Sequence, residues 1–275
     1  MTRVDNRVKR CEEIAAAMRK DIIGLADVLE GKAGHWGGAL SCVEILAVLY
    51  GEVLRVKTED FAQKDKFLLS KGHASMALYT AMVEAGLLDR ELLQTYQKDG
   101  SKLSDLAVAD PELGVECSGG SLGINLSMGA GMALLAKKKG YAYHTYVVVG
   151  DGELDEGSVW ETIMFASHRK LDNLTMIVDA NGLQSDGCTK DILSWEHLPQ
   201  RLAAFGWEVT EVDGHDCAVL LSIWDKPYAE QMPRAIIAHT VKGKGISFME
   251  GDHTWHDRAL TREYLARARQ EALCV

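Results

Sequence analysis

Two short β-branched runs, each ending in a glycine-flanked polar residue, constrain this chain more than anything else in its sequence. Thr145-Tyr146-Val147-Val148-Val149 closes on Gly150-Asp151-Gly152, and Leu174-Thr175-Met176-Ile177-Val178 leads to Asn181-Gly182. Unbroken apolar runs of this length suit strands buried on both faces, the arrangement of a parallel sheet. The spacing predicts a helix over 156–169 between them, so the unit reads as strand, crossover helix, strand. Further strand signals lie at 207–212 and 235–238. Alternating strands and helices define the expected fold class: α/β, with a parallel sheet flanked by helices on both faces. Ligands of such sheets sit at the carboxyl ends of the strands. That places Gly150-Asp151-Gly152, Asn181 and the segment from His239 onward on one rim.

Upstream the pattern is helical. Apolar positions recur at three- and four-residue steps over 5–30. A glycine-rich break, Gly31 to Gly38, precedes a predicted helix at 41–54, and Ser70-Lys71-Gly72-His73 precedes another at 74–86. The stretch Ser118-Gly119-Gly120-Ser121-Leu122-Gly123 leads into a third from Leu126 to Lys137. A chain of 275 residues with 47% hydrophobic content folds without a disulfide or metal staple, since chains near this length bury roughly 75% of their unfolded surface. The net charge of −10 excludes the broad basic face of a nucleic-acid binder, while leaving room for a locally positive pocket. No apolar run reaches membrane-spanning length, and the charged N-terminus lacks the core of a secretion signal. The six cysteines show no C-x-x-C pair and read as free thiols, so a reducing, cytoplasmic location is expected.

Asp151 and Asn181 are the residues with chemistry to offer. Each stands just past a strand end, one crossover apart, where a right-handed connection brings the two rims together. A carboxylate plus an amide oxygen suits Mg²⁺ or Ca²⁺, and Mg²⁺ commonly completes its octahedron with water and phosphate oxygens. A helix starting near Glu156 would add an N-terminal dipole favouring a diphosphate. A Gly-Asp-Gly triplet alone means only a turn; its pairing with Asn181 inside one strand–helix–strand unit points to a metal–diphosphate site.

The run Gly150-Asp151-Gly152-Glu153-Leu154-Asp155-Glu156-Gly157 through Asn181 resembles the thiamine diphosphate motif of the transketolase family. Four further stretches match that family in order: Gly34-His35-Trp36-Gly37-Gly38, Asp65 through Ser75 with Ser70-Lys71-Gly72-His73 at its centre, Gly120-Ser121-Leu122-Gly123, and Lys242-Gly243-Lys244-Gly245 with Trp255-His256. The resemblance implies a diphosphate-binding domain spanning 1–275, with a last helix at about 261–271. It implies that Asp151, Asn181 and the Leu183 carbonyl hold the divalent ion, and that Gly150, Gly152, His73 and His256 lie against the diphosphate. His35 and His256 would line the space above the reactive thiazolium carbon, His73 joining them in the catalytic set. Gly120, Ser121 and Leu122 would floor the aminopyrimidine, and Glu156 would couple two active sites across a subunit interface. Ketol transfer moves protons at hydroxyls near neutral pH, which is histidine chemistry.

Three positions depart from the family pattern. Val108-Ala109-Asp110-Pro111-Glu112 stands where a Gly-His-Pro usually supplies a histidine to the donor's hydroxyls, so Asp110 is expected to face substrate. Ile124-Asn125 replaces Gln-Gly, and Asp65-Lys66 replaces Asp-Arg. The family's pyrimidine-binding domain has no counterpart in the sequence. The resemblance therefore implies the N-terminal subunit of a split transketolase, in an α2β2 assembly with a C-terminal partner, acting on a sugar phosphate donor. Three other readings remain: a related enzyme with a non-sugar acceptor such as a carrier protein, the α chain of a 2-oxoacid dehydrogenase, or a non-catalytic binding subunit.

Overall fold

Seven strands form among residues 3–273, the part of the chain that the computed structural model describes: β1 (Ala33–Gly34), β2 (Lys66–Leu69), β3 (Thr145–Gly150), β4 (Leu174–Ala180), β5 (Glu208–Asp213), β6 (Arg234–His239) and β7 (Arg258–Ala259). The helices are α1 (Arg3–Leu29), α2 (Trp36–Ser41), α3 (Val43–Val48), α4 (Ser75–Glu84), α5 (Ile124–Lys139), α6 (Gly157–His168), α7 (Thr189–Ile192), α8 (Leu198–Ala204), α9 (Cys217–Trp224) and α10 (Arg262–Ala272). Strands β2, β3, β4, β6 and β5 pair in that order, all parallel, while β1 and β7 make a small antiparallel ribbon. The fold is α/β with a parallel sheet covered by helices, as the strand runs predict.

The side-chain alternation of the strands shows why the runs are continuously apolar. Phe67, Leu69, Tyr146, Val148, Ile177 and Ile236 enter a core shared with α1, α3, α4 and α9. Their neighbours Leu68, Val147, Val149, Met176, Val178 and Ile237 enter a second core under α5, α6 and α8. Both faces are dry, so period-two alternation disappears from the sequence. On the second face α5 lies very close to the sheet. A Cβ on Gly129 would stand 2.6 Å from the Val147 side chain, so only glycine permits that approach. Register brings three strand ends level: Gly150 lies beside Asp179, and Ala180 beside His239.

The upstream region differs from the sequence expectation in two places. A helix, α2, begins inside the glycine-rich break and runs to Ser41, and the single helix expected at 41–54 is instead α3 followed by a π-turn over Leu49–Val53. Cys42 breaks the first junction, leaving helical geometry with φ −106° and ψ 16°. Strand β2 lies within a stretch that reads in sequence only as a motif; at four residues it is too short to show periodicity. Thr261 accepts a hydrogen bond from the Tyr264 N–H and caps α10. Cys11, Cys42, Cys117, Cys188 and Cys217 are free thiols; Met1, Thr2, Cys274 and Val275 fall outside the described residues. Among the described residues no helix is long and apolar enough to cross a membrane.

Candidate active site

The level strand ends form the rim that holds the chemistry. Asp151 leaves β3 and caps a 3-10 turn over Gly152–Asp155. This turn, rather than the N-terminus of α6, faces the rim; α6 begins at Gly157, and Glu156 is exposed at its start. The Asp151 carboxylate accepts the Gly152 N–H at 2.9 Å and the Gly182 N–H at 2.6 Å. Burial, aided by the charge of Asp179, pushes its carboxyl up to about 6 against those hydrogen bonds. Asn181 stands opposite, its Oδ1 accepting the Leu183 N–H at 3.1 Å. The Leu183 carbonyl accepts from Lys242 Nζ at 3.3 Å.

Behind the rim lies a buried ion pair. Asp179 and Lys71, at 0% and 2% exposure, bond each other directly. Asp179 also accepts from Ser41 Oγ at 2.5 Å and from Thr240 Oγ1, and Lys71 donates to the Gly38 carbonyl at 2.9 Å. Burial disfavours both charges. Their mutual attraction outweighs it, holding Lys71 above and Asp179 below its ordinary range. The pair ties the ends of α2, β2 and β4 together where the cavity opens.

Three histidines converge over this floor. The ring centroids of His35 and His73 are 5.5 Å apart, those of His35 and His256 5.4 Å, and those of His73 and His256 5.0 Å. Burial, then the charge of Lys71, lowers His73 well below its usual range. Burial and Lys242 push His256 down to about 4. Both rings are therefore neutral at pH 7. Lys242, itself pushed down to about 8 by burial and Lys71, lies 3.0 Å from His256 Nδ1. An ammonium only donates, so that nitrogen is the acceptor.

The glycine loops at the cavity's edge touch backbone to backbone. A Cβ on Gly72 would come within 2.5 Å of the Gly119 Cα. This contact places Gly120 beside the histidine turn.

These residues surround a cavity of about 320 Å³. Of the residues singled out from sequence, His35, His73, Gly120, Leu122, Gly150, Asp151, Gly152, Asn181, Leu183 and His256 line it. Three do not. Ser121 is exposed on its loop, and Glu156 lies on the outer surface. Asp110 is bound to Lys102 at 3.1 Å and accepts the Glu112 and Leu113 N–H groups of its own turn. From that region it is Leu106 that lines the cavity, while Asp105 reaches His35. Sequence reasoning passed over Leu106, Asp105, Lys71 and Lys242. The lysines stood inside quoted motifs, but nothing in a linear pattern marks which lysine turns inward.

The donor set fits a divalent ion and a diphosphate. Asp151 is a buried carboxylate that makes no direct ion pair, feeling Lys71 and Lys242 only at a distance, and the Leu183 carbonyl already accepts an ammonium. Two lysines and neutral histidines supply donors for an anion. Gln184 Oε1 is buried without a hydrogen-bond partner on the same wall, an acceptor that a bound group or its water would satisfy. Among the described residues no group of three or more acidic, histidine or cysteine side chains is arranged to hold a metal ion, so an ion at Asp151 and Asn181 would need further oxygens from a ligand or water.

A parallel α/β sheet whose carboxyl rim joins an Asp–Asn pair to inward lysines and histidines defines a diphosphate-binding class of protein. Comparison with known proteins makes the class specific. Residues 12–273 match the family described as "Transketolase, thiamine diphosphate binding domain", and the chain belongs to that transferase family. It is similar to an apulose-4-phosphate transketolase subunit of Phocaeicola vulgatus, 40% identical over 248 residues covering 89% of this chain and 88% of the relative. A 6-deoxy-6-sulfo-D-fructose transketolase subunit of Clostridium sp. is 38% identical over 233 residues, covering 84% of this chain and 85% of the relative. The solved transketolase of Campylobacter jejuni superposes with a TM-score of 0.84 at 29% identity, covering 94% of this chain and 43% of that one. This chain thus spans less than half the length of that one.

Proposed function

We propose that the chain is the diphosphate-binding subunit of a two-chain ketol transferase, one domain that holds thiamine diphosphate through Mg²⁺ or Ca²⁺. The convergence of Asp151, Asn181 and the Leu183 carbonyl with Lys242 and three histidines on one cavity carries this reading. Asp151, Asn181 and Leu183 would hold the ion; Gly150, Gly152, His73, His256 and Lys242 would lie against the diphosphate, and Gly120 and Leu122 near the aminopyrimidine, while Ser121 stays outside the cavity. When bound, thiamine diphosphate supplies the nucleophilic carbon and the electron sink for breaking a carbon–carbon bond beside a ketone. The chain's own part is orientation and proton movement. His256, neutral and accepting from Lys242 at Nδ1, offers a protonated Nε2 to substrate oxygens. His35 faces the same space.

The donor in this reading is a ketose phosphate, as in the name of the apulose-4-phosphate relative, although the Clostridium relative is named for a sulfonated ketose instead. Asp110 has no direct part in this reading, because its carboxylate is committed to Lys102 and its own turn. Leu106 presents an apolar wall instead, which favours a donor without a hydroxyl at that point. The second active-site half lies on a partner with the pyrimidine-binding domain, in an α2β2 assembly of the cytoplasm. Ile124, Met128 and Leu135 of α5 and Met164 and Phe165 of α6 form an exposed apolar face suited to such contacts, with Glu156 at its edge. Calorimetry of the chain with its partner tests the reading. Thiamine diphosphate should bind only with Mg²⁺ or Ca²⁺, and Asp151→Ala should abolish the heat; binding unaffected by chelator or by that substitution refutes it.

A further inference from the structure

His35 is held by a carboxylate that no sequence motif indicated. Its Nδ1 lies 3.2 Å from Asp105, within reach of both carboxylate oxygens. Asp105 is itself built into place: its carboxylate accepts from Gln97 Nε2 at 2.9 Å and Tyr96 OH at 3.2 Å, and its backbone carbonyl accepts from Ser75 Oγ at 2.5 Å. Burial works against ionisation of this carboxyl. Hydrogen bonds from His35, Tyr96 and Gln97 outweigh it and hold the group below the usual carboxylate range.

We propose that Asp105 is a positioning residue that fixes His35 as the Nδ1–H tautomer and turns an unprotonated Nε2 toward the substrate space. An ionised carboxylate accepts only, so Nδ1 must carry the proton. His35 Nε2 has no hydrogen-bond partner among the described residues, and the ring lines the cavity. The arrangement makes His35 a proton acceptor from a substrate hydroxyl. The proton that leaves the hydroxyl joins Nε2, the oxygen keeps the electron pair, and the Asp105 charge steadies the resulting imidazolium. His256 is the complement: its Nδ1 accepts from Lys242, so its Nε2 carries the proton. Two rings 5.4 Å apart are thereby set in opposite tautomers, one to take a proton and one to give it. The facing groups are His73 and His256 across the cavity and Asp105 behind.

The catalytic part of this inference rests on the thiamine diphosphate reading; the tautomer does not. A long-range ¹H–¹⁵N spectrum of the labelled full chain reads it directly, with His35 assigned by loss of its signals in His35→Gln. His35 should show Nδ1–H and a bare Nε2. Asp105→Asn places an amide donor against Nδ1 and should convert the ring to Nε2–H. In the assembled enzyme the same substitution should lower kcat about 10²-fold, the lower range of what a general base supplies, with thiamine diphosphate affinity changed less than about twofold. Asp105→Glu, which keeps the acceptor, should recover part of kcat. An Nε2–H tautomer in the unsubstituted chain overturns the proposal. So does undiminished kcat in Asp105→Asn, or loss of cofactor affinity in step with activity, which would make Asp105 only part of the wall. Failure of the chain to bind the cofactor at all would defeat the functional reading, while the spectrum would still decide the tautomer.

Discussion

Acid should destabilise this protein through His144, on the sheet's other end from the cavity. His144 is 8% exposed, lies 4.6 and 4.5 Å from the rings of Tyr146 and Tyr228, and shares a 2.9 Å hydrogen bond with Thr175 Oγ1. Burial, then the charges of Arg234 and Arg55, pushes it down to about 3. An unfolded histidine titrates near ~6.5. Between these values the unfolded chain takes up a proton that the folded chain refuses, so stability is full above about pH 6.5 and lost as pH falls toward 3. The loss due to this one ring is about 2 kcal/mol at pH 5. His73 and His256 act in the same direction, so the test is a difference. His144→Phe keeps a stacking ring and removes the titration. Urea unfolding of both proteins should show the stability gap narrowing or reversing by about 2 kcal/mol between pH 7.5 and 5. Losing the Thr175 bond shifts the gap equally at every pH. A gap constant over that range would refute the reasoning.

Lys71→Met strands Asp179 in the interior and should cost about 3–5 kcal/mol, read as a fall in thermal midpoint; adding Asp179→Leu should recover part of it. Gly72→Ala drives a methyl into the Gly119 backbone, an overpacking cost of about 1–3 kcal/mol. Because the two loops border the cavity, it should weaken thiamine diphosphate binding about tenfold or more in calorimetry with an unchanged far-ultraviolet circular dichroism spectrum.

Strands β3, β4 and β6 were legible because burial on both faces writes itself into sequence as apolar runs; the half-exposed edge strand β5 showed through Val209, Thr210 and Val212, and all four lie within one or two residues of the expected spans. Asp151 and Asn181 were legible because strand ends in a crossover unit have fixed spatial relations. What escaped notice depends on contacts between distant segments. Strand β2 is held by its pairing to β3, not by any pattern of its own. Lys71 looks like a surface lysine until Asp179, 108 residues later, supplies its counter-charge. Asp110 lies only a few residues from Asp105 and Leu106, yet its turn points it away; no linear reading tells which residue of a loop reaches inward.

The chain carries a net charge of −10, yet Lys71 and Lys242 are buried at its cavity. A diphosphate approaching it meets repulsion over most of its path and attraction only over the last few ångströms. Salt acts unequally on these two fields, screening the outer one beyond a Debye length of about 8 Å at physiological strength while hardly reaching buried amines. Arrival should therefore quicken with ionic strength while residence time stays nearly constant. A divalent ion travelling with the diphosphate lowers the same outer barrier, so the metal would govern how fast the site fills as well as how tightly.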